Sequence, residues 1–480
     1  MPAPRPRVVP ARAHDELVEA LARLRADLEL PGAFPADVEA EALAAAQTVP
    51  TDPVIAAVDD LRDIEFVTID PEGSTDLDQA LHLERTDDGA VLHYAIADLP
   101  AFVTPGGAMD VEARRRGQTI YAADGRIPLH PAVLSEDAAS LLPGRERRAF
   151  VWRFVLDDGA RPLEKTLRRA VVRSRAQWTY AGAQEAVDAG TAPATLRDLA
   201  WFGEQRLERE AERGGASLNV PETRIVADET GYRLEREAPL AVEDWNAQVS
   251  LLTGMAAAEI MLAGGVGILR TMPAAEPEDV ADFRAKAAAL GIPWDDGVPY
   301  GEFLRGLDRA SPAALAILDA AGGLFRGAGY EAFDGAPPED PGQAAIAAPY
   351  AHATAPLRRL VDRWSLVVCE SLANGREVPR WARESLPTLP GIMARSDGVA
   401  GRLANATIDR IEAAVLSGRV GEEFEAVVLG RRNDGVRVQL TDPPVAAKIA
   451  ELDATPGTRV HLRLRSADIA TGAVDLVATV

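Results

Sequence analysis

Cysteine is almost absent from this chain. Cys369 stands alone among 480 residues, which excludes an intrachain disulfide and suits a reducing compartment. No Cys/His cluster accompanies it, which argues against a structural zinc site. Lysine is nearly as scarce. Lys165, Lys286 and Lys448 are the whole complement, so positive charge is almost entirely guanidinium. Arginine suits bidentate contacts to phosphate, although a GC-rich genome would give the same bias. No apolar run reaches the roughly 18 residues that a membrane span needs. The opening Met1-Pro-Ala-Pro-Arg-Pro-Arg7 lacks the apolar stretch of a signal peptide. The expectation is a cytoplasmic protein with no membrane segment.

What is present is acid. The formal net charge is −23, which at face value argues against a nucleic-acid binder. Its distribution is uneven, however. Between Met109 and Ala176 arginines outnumber acids, with Arg114, Arg115, Arg116, Arg145, Arg147, Arg148, Arg168, Arg169, Arg173 and Arg175 gathered there. An acidic surface with one basic zone fits an enzyme that admits a polyanion along a defined path.

The length allows about three domains, and the pattern supplies a multidomain α+β architecture. In residues 1–58 a Pro/Arg arm precedes Leu17, Leu21, Leu24 and Leu28 at helical spacing. Pro31-Gly32 breaks this helix, and Ala36 to Ala46 reads as a second. The pair is either part of a helix-turn-helix or a small packing module. Residues 59–417 begin with strands and turns (Val91–Ala97, Ala149–Leu156, Arg168–Val172) and continue as helices. Among these, Ala355 to Ala373 is expected to be helical, with Thr354 as its cap. Another helix lies around Ile392 and a last one ends near Leu416, while Gly327 to Ala348 reads as a loop. Residues 418–480 switch to period-2 alternation in five short segments, the signature of an OB-type barrel. Val460, Leu462 and Leu464 would point inward, leaving Arg463 and Arg465 outward beside Arg437.

The segment Phe66-Val-Thr-Ile-Asp70-Pro-Glu-Gly-Ser-Thr-Asp76-Leu-Asp78-Gln79 carries the clearest chemistry. An apolar β-type run delivers Asp70, and two further carboxylates follow a Gly/Ser/Thr loop. Like charges this close repel unless a cation sits among them, and hard divalent ions take carboxylate oxygens. On these residues alone, a solvated acidic loop is the competing reading.

Neighbouring blocks favour the first reading. Thr68-Ile-Asp70, Asp76-Leu-Asp78, Tyr94-Ala-Ile-Ala-Asp98 and Arg116-Gly-Gln-Thr-Ile-Tyr121 resemble the RNase II / RNB family of exoribonucleases. So do Ile127-Pro-Leu-His-Pro131, Leu134-Ser135 with Ser140-Leu-Leu-Pro143, and Tyr350-Ala-His352-Ala-Thr354-Ala-Pro356-Leu-Arg358-Arg359. The resemblance spans roughly residues 59–417, and the C-terminal barrel then resembles the family's S1 domain. It implies hydrolysis of single-stranded RNA from a free 3′ end to nucleoside 5′-monophosphates. It also implies Mg²⁺, with Mn²⁺ as a substitute, and no obligate protein partner.

Asp70, Asp76 and Asp78 match three of the family's four carboxylates. The fourth position is Gln79, so the motif is one charge short. Arg358 matches the arginine at the scissile phosphate, with Arg359 a secondary candidate for RNA contact. Without the resemblance, an i, i+4 pair between Arg358 and Asp362 is the alternative. Tyr121 and, less securely, Tyr180 match aromatics that stack on RNA. Arg437, Arg463 and Arg465 would form an RNA face on the barrel. Ser250 and Asn405 stand near positions where the family has glutamates. Two rivals remain open: an RNA-binding protein crippled at Gln79, and an unrelated metal phosphohydrolase built on Asp76-Leu-Asp78.

Overall fold

The computed structural model describes residues 11–49, 58–123, 125–216, 222–228, 231–237, 239–308, 311–324, 326–432, 435–450 and 452–479. The N-terminal Pro/Arg arm lies outside them, as do Asn433 and Asp434 between the first two alternating segments.

The N-terminal helices α1 (Ala11–Asp27) and α2 (Ala36–Thr48) lead into a six-stranded sheet. Its strands are β1 (Asp59–Asp60), β2 (Phe66–Asp70), β3 (Gln79–Thr86), β4 (Gly89–Ala97), β7 (Glu146–Leu156) and β8 (Pro162–Thr179), in the order β1-β8-β2-β3-β4-β7. Helix α3 (Ala108–Arg116) and the hairpin β5 (Ile120–Ala122) and β6 (Gly125–Ile127) fall between β4 and β7. The 18-residue β8 is long enough to pair with three strands, β1, β2 and β7. Its first part runs antiparallel to β7, and its last part, Ser174 to Thr179, runs parallel to β2. Because β8 also pairs with β7, the ring β2-β3-β4-β7-β8 closes on itself. Closure removes the exposed edges an open sheet would leave.

Helices cover this ring: α4 (Tyr180–Asp188), α5 (Ala194–Glu212), α6 (Ala241–Gly264), α10 (Leu360–Ala373), α11 (Arg380–Ser385) and α12 (Leu389–Leu416). The shared core includes Tyr94, Phe150, Trp152 and Phe154 from the sheet, Leu199 and Phe202 from α5, and Trp364 from α10. By length and composition α6 could cross a membrane, but half of the relevant stretch is buried in this core, as in a soluble core helix. A hairpin, β9 (Glu222–Asp228) with β10 (Gly231–Glu237), precedes α6.

Four features depart from the sequence reading. The segment read as a loop contains β12 (Gly329–Asp334), which pairs with β11 (Val266–Thr271), and the short β13 (Gly342–Gln343) with β14 (Ala348–Pro349). The two late helices are one, α12, of 28 residues; packing against α1 and the barrel holds it through its glycines. Helix α3 was masked by its charge, since Asp110, Glu112 and Arg116 are buried as ion pairs. The helix expected from Ala355 begins only at Leu360.

Helices α7 (Pro277–Ala289), α8 (Tyr300–Arg305) and α9 (Pro312–Ala321) form a small cluster around Phe283, and α9 abuts the C-terminal barrel. That barrel comprises β15 (Glu423–Arg432), β16 (Gly435–Leu440), β17 (Ala446–Ile449), β18 (Arg459–Asp468) and β19 (Ala473–Ala478), in the order β17-β16-β15-β18-β19. Leu462 and Leu464 are buried and Val460 partly so, while Arg463 and Arg465 face out, the alternation read from the sequence. The N-terminal helices divide their loyalties. Leu17 and Leu21 of α1 join the barrel core with Ile411, whereas Val38 and Ala42 of α2 join a core with Phe66, Leu77 and Met109.

Candidate active site

Three chain segments meet where β2 ends and β3 begins. Asp70 is the last residue of β2, paired with Thr179, and β8 passes directly into α4 at Tyr180. The chain then turns through Gly73, whose φ of +77° suits a residue without a Cβ. The Ser140 hydroxyl pins the returning loop: it donates to the Thr75 carbonyl at 2.7 Å and accepts from the Leu77 N–H at 2.9 Å. This gives the Ser140-Leu-Leu block a physical purpose, because it fixes the path between Asp76 and Asp78.

Asp78 is 4% exposed. Its Oδ1 accepts the Leu357 N–H at 2.7 Å, and its Oδ2 lies 3.3 Å from Arg358 Nε. Burial pushes its carboxyl up to about 7, against the pull of Arg358 and the Leu357 N–H. Burial likewise raises Asp70 to about 6, with Arg358 opposing and Asp76 adding repulsion. Both carboxyls lean chiefly on Arg358, with a smaller pull from Arg359 on Asp78, and stay raised. Arg358 is the counterpart. Burial works against its charge, but Asp78, joined by Tyr121 and Asp362, holds the group above its ordinary range.

Arg358 lies just ahead of the N-terminus of α10. Residues 356–358 form a turn, and Arg359 is the cap residue of α10. Asp362, not Thr354, organises the entry: its Oδ1 accepts the N–H groups of Thr354 and Ala355 at 2.8 and 2.7 Å. The same carboxylate grips Arg359 through Nε and Nη2, both at 2.8 Å. The Asp362 partner is therefore Arg359 at i−3, and Arg358 is left to face Asp78. The Arg359 fork is thereby occupied. Beside it, His352 hydrogen-bonds through Nδ1 to the Tyr330 hydroxyl at 2.7 Å and is kept neutral by burial. Arg358 is positioned through its backbone, whose carbonyl accepts the Thr119 N–H at 2.9 Å; Leu360 N–H in turn donates to Gly117 O at 3.0 Å.

The strand after Thr119 carries Tyr121, with its side chain 55% exposed in residue terms and its hydroxyl 3.4 Å from Asp76 Oδ2. Burial near the hydroxyl, with Asp76, pushes the phenol to about 12. Across the hairpin from Tyr121 stands Arg126, which the sequence reading missed. Its Nη1 meets Asp76 Oδ1 at 2.5 Å and its Nη2 meets Glu136 at 2.8 Å. Only the hairpin pairing reveals it, because Arg126 is 50 residues from Asp76 in sequence. Ile120 and Ile127, on the same two strands, pack on Leu24 of α1 and Leu403 of α12.

Tyr180 is half-buried near Asp70, whose charge adds to burial in raising its phenol. Asn246 Nδ2 lies 3.5 Å from its hydroxyl. Ser250, one turn further along α6, shares a 2.8 Å hydrogen bond with Tyr94. Asn405 lies apart, lining a cavity between α12 and the barrel.

Gln79 has a definite employment. Its Nε2 donates to the Thr354 carbonyl at 2.6 Å, tying β3 to the segment that presents Arg358. Among the described residues no group of three or more His, Cys, Asp or Glu side chains converges as a ready metal cage, because Asp76 is turned to Arg126. The donor chemistry at Asp70 and Asp78 nevertheless suits a hard cation: two desolvated carboxylates, short of compensating charge.

On the C-terminal barrel, Arg463 pairs with Glu423 at 2.7 Å and Arg465 with Asp475 at 3.5 Å. Arg437 is not beside them. It lies on β16, opposite Lys448 of β17, and lines the cavity that also holds Glu412 and Asn405. The barrel aromatic Phe424 is buried, with Arg419 stacked over it at 4.3 Å.

Comparison with known proteins gives matches to two families. The RNB domain matches residues 58–368, and the RNase II-type exonuclease C-terminal S1 domain matches residues 422–479. Ribonuclease R of Thermotoga maritima is 26% identical over 453 residues, covering 88% of this chain and 62% of that protein. The chain spans less than two thirds of the length of the curated relatives it matches. Mycoplasma genitalium RNase R, solved in complex with ribose methylated single-stranded RNA, superposes with a TM-score of 0.87 at 17% identity, over 97% of this chain and 78% of that one. Yeast Ssd1, a pseudonuclease, superposes with a TM-score of 0.66 at 15% identity, over 86% of this chain and 53% of that one.

Proposed function

Because this chain belongs to the RNB domain family, we propose that it is a 3′→5′ exoribonuclease that hydrolyses single-stranded RNA to nucleoside 5′-monophosphates. One observation carries the reading: Arg358 pairs with Asp78 at 3.3 Å and acts on Asp70, yet both carboxyls stay raised. Such charge imbalance has a use when a phosphate and a cation enter together.

In this reading Asp70 and Asp78 hold Mg²⁺, with Mn²⁺ as substitute. The bound ion would supply Lewis-acid polarisation of the phosphate and a more acidic water. The other work falls to the chain. Arg358 moves from Asp78 to a non-bridging phosphate oxygen and stabilises the charge that builds there. Leu357 N–H keeps Asp78 aimed while this exchange occurs. Tyr121 offers its exposed ring to the 3′-terminal base, and Tyr180 flanks Asp70. Thr119 holds the Arg358 carbonyl and Gly117 the Leu360 N–H, so only the Arg358 side chain needs to move. Gln79 is a tether in this scheme rather than a ligand. Arg463 and Arg465 make a weak contact with RNA, and Arg437 contributes none. A cytoplasmic location belongs to the same proposal.

A second reading has its own observation. Asp76 is occupied by Arg126 at 2.5 Å, which would suit a protein that grips RNA without cutting it. Product analysis separates the two. Uniformly labelled single-stranded RNA should yield nucleoside 5′-monophosphates with Mg²⁺ and nothing with a chelator. Intact RNA with Mg²⁺ or Mn²⁺, together with tight binding, would favour the second reading.

A further inference from the structure

Apart from the Asp70 centre, a basic cavity of about 370 Å³ lies between the start of β8 and helices α5 and α6. Helix α6 turns Ser250 toward Tyr94. At 100° per residue, Leu252, Met255 and Ala256 fall on its other side, and with Pro162 they form the apolar wall of this cavity. Arg161, Lys165, Arg206, Arg209 and Arg213 line it against two carboxylates, Glu212 and Glu259.

Those carboxylates are already engaged. Glu212 meets Arg161 at 3.4 Å and Arg209 at 3.0 Å, and Glu259 meets Lys165. Arg206 is different. It is 4% exposed, its Nη1 donates to the Ala160 carbonyl at 3.2 Å, and its Nε has no partner. Arg213 donates through Nε to the Ile346 carbonyl at 2.8 Å, while its Nη2 has none. The nearby Glu210 carboxylate accepts from Gln248 Nε2 at 2.7 Å. Burial, followed by the charges of Arg213 and Arg209, pushes Arg206 down to about 10 although Glu210 opposes. Buried guanidinium donors with unmet bonds and like-charged neighbours are stabilised by an anion, and their fork matches a phosphate.

We propose that this cavity is a binding site for a nucleoside 5′-monophosphate, with the phosphate on Arg206 and Arg213 and the base against Leu252 and Met255. The apolar wall is what distinguishes this ligand from inorganic phosphate. The volume fits the lower part of the range for small-molecule sites, roughly 300–1,000 Å³. Nothing in this site requires that the Asp70 centre hydrolyse RNA, so the two proposals stand or fall separately.

Methionine-methyl NMR on the full chain tests it, because Met255 is one of six methionines and a Met255→Leu variant assigns its signal. Titration with 5′-AMP in chelator should shift the Met255 methyl saturably in the natural protein and in Arg358→Ala. Arg213→Gln should weaken the titration roughly tenfold or more, the loss of one charge-assisted bond, and leave RNA hydrolysis unchanged. Arg206→Gln should do the same; if it does not fold, Arg213→Gln carries the test alone. Three results would overturn the proposal: no Met255 shift at millimolar 5′-AMP, an equal titration by inorganic phosphate, or loss of the shift in Arg358→Ala.

Discussion

On the outer face of the C-terminal barrel, Arg459, Arg463 and Arg465 each meet a carboxylate, namely Glu425, Glu423 and Asp475. Where β2 ends, Asp70 and Asp78 instead share one guanidinium, Arg358, and both carboxyls are raised toward neutrality. Both regions are rich in charge, but they differ in balance. A surface ion pair contributes at most about 1 kcal/mol and leaves little field for a ligand. A desolvated, unequal set costs stability and can be relieved by whatever supplies the missing charge. Under the proposed function, the comparison places the chemistry at the strand end and makes the barrel face an accessory.

Asp78→Asn is the most damaging way to break that contrast. Hydrolysis should fall by about a thousandfold, equivalent to roughly 4 kcal/mol of barrier, while RNA affinity measured by filter binding stays within a few fold. Folding should respond in the opposite direction. The Asp78 carboxyl titrates at about 7 when folded, against 3.8 ordinarily. A raised carboxyl contributes stability that is full below the unfolded value and lost as pH rises through the folded value. In chelator at pH 8, Asp78→Asn should therefore melt at a higher temperature than the natural protein, and the gap should close toward pH 5. A variant that melts lower at pH 8 would show the carboxylate to be compensated already.

Arg358→Ala comes next. It should lower kcat by roughly a hundredfold, as for loss of one preorganised donor to a developing charge, with a smaller change in KM. Arg358→Lys should rescue only in part, because a point charge lacks the planar fork. An unchanged kcat with a raised KM would make Arg358 a ground-state contact.

Gln79→Asp sharpens the comparison by adding charge to the side already in excess. Aspartate is one methylene shorter than glutamine, and Gln79 Nε2 donates to Thr354 O at 2.6 Å. Aspartate offers no donor there, so the metal-free variant should lose about 1–3 kcal/mol of stability, seen as a lower melting temperature. Added Mg²⁺ should recover it, and half-maximal activity should need less Mg²⁺ than in the natural protein. Superimposable melts and Mg²⁺ titrations would return Gln79 to the role of an adequate ligand.

The smallest effect belongs to the barrel. Joint Arg463→Ala and Arg465→Ala should weaken RNA binding by less than roughly fivefold, since each removes an exposed pair that contributes about 1 kcal/mol or less. A loss of a hundredfold would move the main grip to this face.

The segments with clear periodicity were legible: α1, β4, β7 and the five barrel strands all lie where helical spacing or alternation places them. What escaped was set by long-range partners. Asp362 captures Arg359 and the N–H groups of Thr354 and Ala355, so a segment that reads as a capped helix becomes a turn. Arg126 reaches Asp76 only because the β5–β6 hairpin folds it opposite Tyr121. Arg437 carries the same charge as Arg463, but strand order puts β15 between β16 and β18 and sends it to another cavity. The family resemblance marked Asp70, Asp78 and Arg358 as a group; only the fold shows that Arg358 pairs with Asp78 while Asp362 takes Arg359.

The most direct measurement uses one RNA in two forms, linear with a 5′ label and circularised, each incubated with Mg²⁺ and either the natural protein or Asp78→Asn. If the unbalanced centre at β2 cuts inward from a 3′ end, the natural protein shortens the linear RNA from that end and leaves the circle intact. The variant should leave both forms whole while still binding the linear one. A nicked circle, or linear RNA degraded as fast by Asp78→Asn, would contradict the account.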